Sequence, residues 1–126
     1  MRDKIVIGYC RISTSRQNLE RQERNILARY PDALIYKEVY TGTKITGRKV
    51  WNTVYNLVCK EADKKDITIV FDSVSRMSRD ATEGFELYKD LYNRGIRLVF
   101  LKEPHINTDT YKEQLNKQIQ IDTSLG

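Results

Sequence analysis

Four short runs rich in apolar residues recur along the chain, and their spacing constrains the fold more than any other feature. The runs lie at residues 5–9, 33–40, 67–71 and 96–101. Continuous apolar runs of this length are typical of strands that are buried on both faces. Each pair of runs is separated by enough chain for a crossover helix. We therefore expect an α/β fold: a mostly parallel sheet of four or five strands with helices on both faces.

The segments between the runs carry apolar residues at helical spacing. The first contains Leu19 and Ile26 and is closed by Pro31, the second spans residues 49–62, and the third is closed by Gly95. Glycine is favoured at the position that follows a helix, because it adopts positive φ without strain. A further, polar helix is expected to run through Gln120.

Two other features of the chain organisation concern its loops. Residues 41–47 contain two glycines and no periodicity, so we expect a mobile loop there. Either Asn107 or Thr108 is a suitable N-cap for the last helix. We expect residues 1–102 to form the main domain and residues 103–126 to form a C-terminal extension.

Composition narrows the class of protein only moderately. The 126 residues fit one compact domain, and a net charge of +5 suits an anionic partner such as nucleic acid. Cys10 and Cys59 lack the spacing of a disulfide framework or a zinc site, which favours a reduced, cytoplasmic protein. No apolar run is long enough to span a membrane, so no membrane partner is expected.

Hydroxyl and guanidinium groups follow two of the predicted strands. Arg11 and Ser13 come after the first strand, Arg76 and Arg79 after the third, and Arg48 ends the glycine-containing loop. The carboxyl ends of parallel strands meet at one edge of a sheet, where ligands bind. Planar guanidinium groups stabilise phosphoryl oxygens with paired hydrogen bonds, so this set suits phosphoryl transfer with serine as nucleophile.

Simpler interpretations exist for the same residues. Residues 13–15 are also typical helix N-cap residues, and Arg76 and Arg79 could begin a solvated helix. Positive charge at a helix N-terminus opposes the macrodipole, however, so a bound anion would compensate both. No residue stands out as a base for Ser13.

Three segments resemble the serine site-specific recombinases of the resolvase/invertase family. The segment YCRISTS at residues 9–15 resembles the signature around the family nucleophile, and SRMSRD at residues 75–80 resembles the second, arginine-containing signature. Residues 42–48 are similar to the mobile loop that ends in a further active-site arginine. The resemblance covers residues 4–101 and implies the catalytic domain of this family, with its resolvase-like α/β fold.

The resemblance implies a role for each matching residue. Ser13 would attack a DNA phosphodiester and form a 5′-phosphoserine intermediate, followed by strand exchange and religation. The site would be supported by two glutamines, Gln17 and Gln22. The scissile phosphate would be held by four arginines: Arg11, Arg48, Arg76 and Arg79. The implied partners are double-stranded DNA and further copies of the protein, as a dimer and as a tetramer at synapsis. No metal or other cofactor is implied.

Two departures from the family pattern bear on this assignment. Ser75 replaces the usual aspartate of the second signature, and a serine at this position resembles the large serine recombinase and integrase branch. Asp72 or Asp80 could take over the acid–base role of that aspartate. The dimerisation helix and DNA-binding region of the family are not visible after Leu101, so we expect an excised catalytic domain, with a naturally short protein as the alternative.

Two alternatives to an active recombinase follow from the residues. Ser75 motivates a catalytically decayed domain of the same fold that bridges DNA or regulates a partner. A receiver-like or nucleotide-binding domain lacks support, because the chain has neither an acidic cluster after the first strand nor a phosphate-binding GxxxxGK[ST] loop. His105 stands alone in a polar turn and is interpreted as structural or exposed.

Overall fold

A computed structural model describes residues 2–13, 16–40 and 45–125 and contains a four-stranded parallel sheet. The strands are β1 (Lys4–Ile12), β2 (Leu34–Val39), β3 (Asp66–Phe71) and β4 (Arg97–Phe100). They lie in the order β2-β1-β3-β4, and every neighbouring pair is parallel. The predicted α/β fold is confirmed, with four strands.

Five helices accompany the described strands. They are α1 (Arg16–Arg29), α2 (Lys49–Glu61), α3 (Val74–Met77), α4 (Ala81–Asn93) and α5 (Thr108–Leu125). Gly95 follows α4 with φ of 80°, and the amide of Ile96 donates to the carbonyl of Leu91, so the predicted glycine termination is confirmed. None of the helices in the described ranges is long and apolar enough to cross a membrane.

The sheet separates two apolar layers. Ile7 and Tyr9 of β1 point to the face covered by α2 and α4, where they pack with Trp51. Cys10 points to the opposite face, where Ile26 of α1 covers it. This alternation follows from the two-residue period of a strand and confirms helices on both faces of the sheet.

Some boundaries differ from those predicted. β1 continues through Arg11 to Ile12, because neighbouring strands and helices bury this stretch despite its charge. The four-residue helix α3 was not predicted, since it is too short to show a period. The predicted cap at residues 13–15 and mobile loop at residues 41–47 fall partly outside the described residues; of the loop, Ile45–Gly47 form a 3₁₀ turn.

The last helix attaches to the outer edge of β4. The amide of Phe100 donates to Asn107 Oδ1 at 2.7 Å, and the amide of Leu98 donates to Thr108 Oγ1 at 2.9 Å. The helix starts after Asn107, as predicted, and the Asn107 carbonyl accepts the amide of Tyr111 at 3.0 Å, while the side chains of Asn107 and Thr108 satisfy amides of the edge strand. The helix also continues past Gln120 to Leu125.

Candidate active site

The strand order creates a switch point between β1 and β3. The connection from β1 leads to β2 on one side of the sheet, whereas the connection from β3 leads to β4 on the other. Ligands in open α/β sheets bind at the carboxyl ends of strands at such a point. Arg11 and Ser13 lie at the end of β1, and α3 follows the end of β3. The topology thus brings two of the predicted segments to one crevice.

Arg11 and Arg48 both bind the C-terminal carbonyls of α3. Arg11 donates from Nη2 to the Ser75 carbonyl at 2.5 Å and from Nε to the Arg76 carbonyl at 3.3 Å. Arg48 donates from Nη1 to the carbonyls of Met77 at 2.6 Å and Arg76 at 3.2 Å. Cations are favourable at a helix C-terminus, where carbonyls lack partners within the helix. The two guanidinium groups therefore fix α3 and converge beside it.

These contacts leave part of each guanidinium group without a partner. Within the described ranges, the buried nitrogens with no hydrogen-bond partner are Arg11 Nη1, Arg48 Nε, Arg48 Nη2 and Arg76 Nε. An unpaired buried donor costs about 1–3 kcal/mol, and more where the group is charged. A phosphate oxygen would satisfy such donors with charge-assisted hydrogen bonds. The cluster therefore has the chemistry of an anion site.

The charge of the cluster acts on Arg11 most strongly. Burial, followed by repulsion from Arg48, Arg79 and Arg76, lowers the pKa of Arg11 to about 10. Arg11 thus remains a cation at neutral pH, in a position where positive charge is unfavourable. A bound dianion would reverse this repulsion. Arg79 is exposed, whereas Arg11 and Arg48 are fully buried.

The simpler alternative, a solvated helix start, fits Arg79, which is exposed just before the N-cap of α4, but not Arg76. Arg76 lies in the last turn of α3, where its charge suits the macrodipole. Helix α4 begins only at Ala81, and Asp80 caps it by accepting the amide of Glu83 at 3.0 Å. Asp80 thus already satisfies one amide at the start of α4.

Gln22 holds the backbone of Arg11 from α1. Its Oε1 accepts the Arg11 amide at 3.1 Å, and its Nε2 donates to the Arg11 carbonyl at 2.9 Å. Gln22 is fully buried, so neither bond competes with solvent. The amide side chain thus continues the hydrogen-bond pattern of a neighbouring strand and fixes the position of the guanidinium stem.

Glu38 is a site residue that the sequence analysis missed. It is buried on β2 opposite Arg11, and it accepts the amides of Val50 at 2.8 Å and Trp51 at 3.0 Å, in the first turn of α2. The Tyr9 hydroxyl also donates to Glu38. Burial, then the hydrogen bond and charge of Glu38, raises the pKa of Tyr9.

This carboxylate positions Arg48 indirectly. Arg48 is the N-cap residue of α2, and its own side chain does not cap the helix. Glu38 supplies the missing acceptor and the negative charge that a helix N-terminus favours. The start of α2 is therefore fixed against β2, and the Arg48 guanidinium extends over the Tyr40 ring, 5.9 Å from its centroid. No local pattern in the sequence singles out Glu38.

Ser13 and Gln17, the remaining predicted residues, lie in the stretch of chain that follows β1. Ser13 is half-buried directly after β1, and Gln17 is exposed in the first turn of α1. Within the described part of the chain, no acid or imidazole hydrogen bonds to the Ser13 hydroxyl. Gln17 likewise has no hydrogen bond to the arginine cluster among the described residues. Their roles stay predictions.

The candidate substitutes for the missing aspartate serve other contacts. Asp72 is buried, accepts from Asn25 Nδ2 at 2.9 Å and pairs with Lys102 Nζ at 3.2 Å. Asp80 caps α4, and the Ser75 hydroxyl pairs with the Ser73 hydroxyl at 2.9 Å. Both carboxylates thus have structural roles in the described contacts.

The chain is thus an α/β domain that carries a buried arginine cluster at the switch point of its sheet. The chain belongs to the resolvase family, since the model of the family described as "Resolvase, N terminal domain" matches residues 6–124. The prediction of a serine recombinase catalytic domain is confirmed by this match. Site-specific recombination is the general activity of this family.

Solved structures share the fold. The N-terminal catalytic domain of TP901-1 integrase is 20% identical with a TM-score of 0.69, covering 97% of this chain and 94% of that one. A resolvase family site-specific recombinase from Streptococcus pneumoniae is 22% identical, with a TM-score of 0.60 and coverage of 98% and 95%. The C-terminal catalytic domain of ISC1926 TnpA, an IS607-like serine recombinase, is 19% identical, with a TM-score of 0.61 and coverage of 97% and 82%.

Proposed function

We propose that this chain cuts and rejoins DNA through a covalent link to Ser13. The observation that carries the proposal is the set of buried guanidinium nitrogens without partners on Arg11, Arg48 and Arg76. These donors fit the non-bridging oxygens of a phosphodiester, whose negative charge grows in the transition state. Arg79, the exposed member of the cluster, would contact the DNA backbone from the solvent side.

The placement of Ser13 supports its role as nucleophile. It stands two residues beyond Arg11, so the alternation of β1 continued by one step directs both side chains to the same face. In the proposed step the Ser13 oxygen forms a bond to phosphorus, and the bond from phosphorus to the 3′ oxygen breaks. The serine hydroxyl loses its proton to an unidentified base, and the 3′ oxygen takes up a proton. Religation reverses this exchange after the strands have moved.

The two glutamines would act through the positions of other groups. Gln22 holds the main chain of Arg11, and Gln17 stands one turn earlier on α1, beside the segment that carries Ser13. Because they would touch no reacting atom, we infer that both are positioning residues. No metal or organic cofactor is needed for this chemistry, since the phosphoserine ester retains the bond energy for religation.

Double-stranded DNA and a second copy of the chain are the proposed partners. An apolar groove of about 870 Å³ lies between α4 and α5, and the exposed side chains of Phe85, Tyr111 and Leu115 line it. A two-fold axis would place the same apolar surface of a second copy against this one. We infer that a dimer forms here and that a tetramer assembles at synapsis.

The proposal also includes a cytoplasmic location and a place near the integrase branch of the family. Free Cys10 and Cys59 suit the reducing cytoplasm, where DNA is accessible. Serine in place of the usual aspartate at position 75 supports a place closer to the integrase branch.

Trapping the covalent intermediate tests the function. The protein that carries this chain is incubated with its DNA site, denatured during cleavage and digested, and the DNA-linked peptide is identified by mass spectrometry. We expect the adduct on Ser13 and none with Ser13→Ala. An adduct on any other residue would refute the assignment.

The same variant decides between this function and the decayed-domain alternative. A domain that only bridges DNA or regulates a partner would support recombination equally well with Ser13→Ala. Unchanged recombination by that variant would therefore favour the alternative. The arginine cluster would then serve DNA binding alone.

A further inference from the structure

Helix α3 is too short to determine its own position. It has only the four residues Val74–Met77, and one helical turn is unstable in isolation because nucleation costs more than its hydrogen bonds return. Charged side chains from elsewhere hold both of its ends. Arg11 and Arg48 bind its C-terminal carbonyls, as described above.

Glu103 holds the opposite end. Its Oε1 accepts the Val74 amide at 2.9 Å, across 29 positions of sequence. The N-cap residue Ser73 makes no capping hydrogen bond with its own side chain. Glu103 therefore provides the acceptor that the helix start lacks, and its negative charge suits the positive end of the helix.

The location of Glu103 connects α3 to the base of α5. Glu103 follows β4 and directly precedes the 3₁₀ turn Pro104–Ile106. The Tyr88 hydroxyl of α4 fixes the end of that turn by donating to the Ile106 carbonyl at 2.7 Å. Two residues later α5 begins, attached to β4 through Asn107 and Thr108. The short segment 104–107, which is fixed by these hydrogen bonds, thus separates Glu103 from the base of α5.

We propose that Glu103 is a positioning residue for the arginine cluster, setting the orientation of α3 and coupling it to the base of α5. Arg76 lies on α3, and the carbonyls that fix Arg11 and Arg48 belong to the same segment. A rotation of α3 would therefore move all three guanidinium groups relative to Ser13. This inference rests on the proposed function. It implies that a rearrangement at the base of α5 would move α3, through Glu103, and so shift the guanidinium groups that bind the scissile phosphate.

Three substitutions of Glu103 test separately the hydrogen-bond acceptor for the Val74 amide and the negative charge of the carboxylate. Glu103→Ala removes the acceptor, Glu103→Gln keeps an oxygen within reach of Val74, and Glu103→Asp keeps the charge on a shorter side chain. Glu86→Ala is the matched control, because Glu86 is an exposed carboxylate on α4 that pairs only with Lys89 in the described contacts. For each, the cleavage rate of prebound DNA, the DNA affinity and the exchange rate of the Val74 amide are measured.

We expect a defect in cleavage that is separate from binding. Glu103→Ala and Glu103→Asp should slow cleavage by about 10-fold or more, since small displacements of catalytic groups reduce rates strongly. DNA affinity should stay within about 2-fold of wild type, because bound backbone phosphates still meet the exposed cationic surface. Glu103→Gln should stay within about 3-fold of the wild-type cleavage rate, because a neutral acceptor retains most of the hydrogen bond. If Glu103→Ala does not fold, the cleavage rate of Glu103→Asp is compared with those of wild type and Glu103→Gln instead.

Several outcomes would overturn the proposal. Cleavage at the wild-type rate by Glu103→Asp would do so, as would equal defects in Glu103→Gln and Glu103→Ala. The Val74 amide should exchange about 10-fold faster or more in Glu103→Ala, and an unchanged rate would also contradict the contact. If wild-type protein cleaves no DNA, the proposed function fails, and the exchange rate of Val74 then decides the role of Glu103 by itself.

Discussion

Removing the Glu38 carboxylate should destabilise the domain more than any surface substitution. Glu38 is buried and accepts three hydrogen bonds, from the Tyr9 hydroxyl and from the amides of Val50 and Trp51. Glu38→Ala leaves these donors without an acceptor and removes the negative charge at the start of α2. Each unpaired buried donor costs about 1–3 kcal/mol, and partial relaxation reduces the sum, so we expect a loss of about 3–5 kcal/mol.

Urea unfolding followed by tryptophan fluorescence measures this loss directly. Trp51 is the single tryptophan of the chain and is buried beside the altered contact, so its emission reports unfolding. The midpoint should fall while the slope stays unchanged, because the buried surface is nearly the same. Glu38→Gln retains an acceptor and should lose about 1–2 kcal/mol.

The matched control is Glu86→Ala, which removes an exposed carboxylate from α4. Its free energy of unfolding should change by less than about 0.5 kcal/mol, as is usual for surface positions. A loss below about 1 kcal/mol for Glu38→Ala would refute the argument, because it would mean that the three donors find other acceptors.

Three further predictions follow from the site and its surroundings. Arg11→Lys should slow covalent attachment to DNA by about 100-fold or more, because the compact ammonium lacks the planar donor fork with which Arg11 reaches two carbonyls; a rate near wild type would contradict this. Gln22→Leu should lower the free energy of unfolding by about 2–3 kcal/mol, measured in urea, since it leaves the amide and carbonyl of Arg11 unpaired. Phe85→Glu should shift the proposed dimer towards monomer by about 10-fold or more in sedimentation, and an unchanged association constant would exclude the groove as the interface.

The central strands β1 and β3 were predictable because they are buried on both faces along most of their length. Such strands need continuous apolar residues, and this requirement is visible in the sequence without knowledge of their neighbours. The end of β1 was harder to predict from the sequence, since Arg11 is charged and its burial depends on α3 and Arg48. The local sequence around Arg11 does not show its contact with Arg76, which lies 65 positions away in the chain.

The arginines of the site were predictable, whereas the groups that hold them were not. Two signature segments and their position after strands indicated Arg11 and Arg76 before any geometry was known. Glu38 and Glu103 resemble ordinary charged residues in sequence, because each acts on a helix start that only tertiary packing brings near. Their roles follow from the positions of α2 and α3 and from no motif.

The binding of phosphate by the arginine cluster can be measured on individual side chains. Titration of the ¹⁵N-labelled chain with inorganic phosphate reports the Nε–H resonances of Arg48 and Arg76, whose nitrogens are buried without partners among the described residues. Arg94 Nε is the internal reference, because it already donates to Asp90 at 2.9 Å. We predict that Arg48 and Arg76 shift together with one dissociation constant while Arg94 stays unchanged. Equal shifts at Arg94, or none at Arg48 and Arg76, would contradict a phosphate site built from these guanidinium groups.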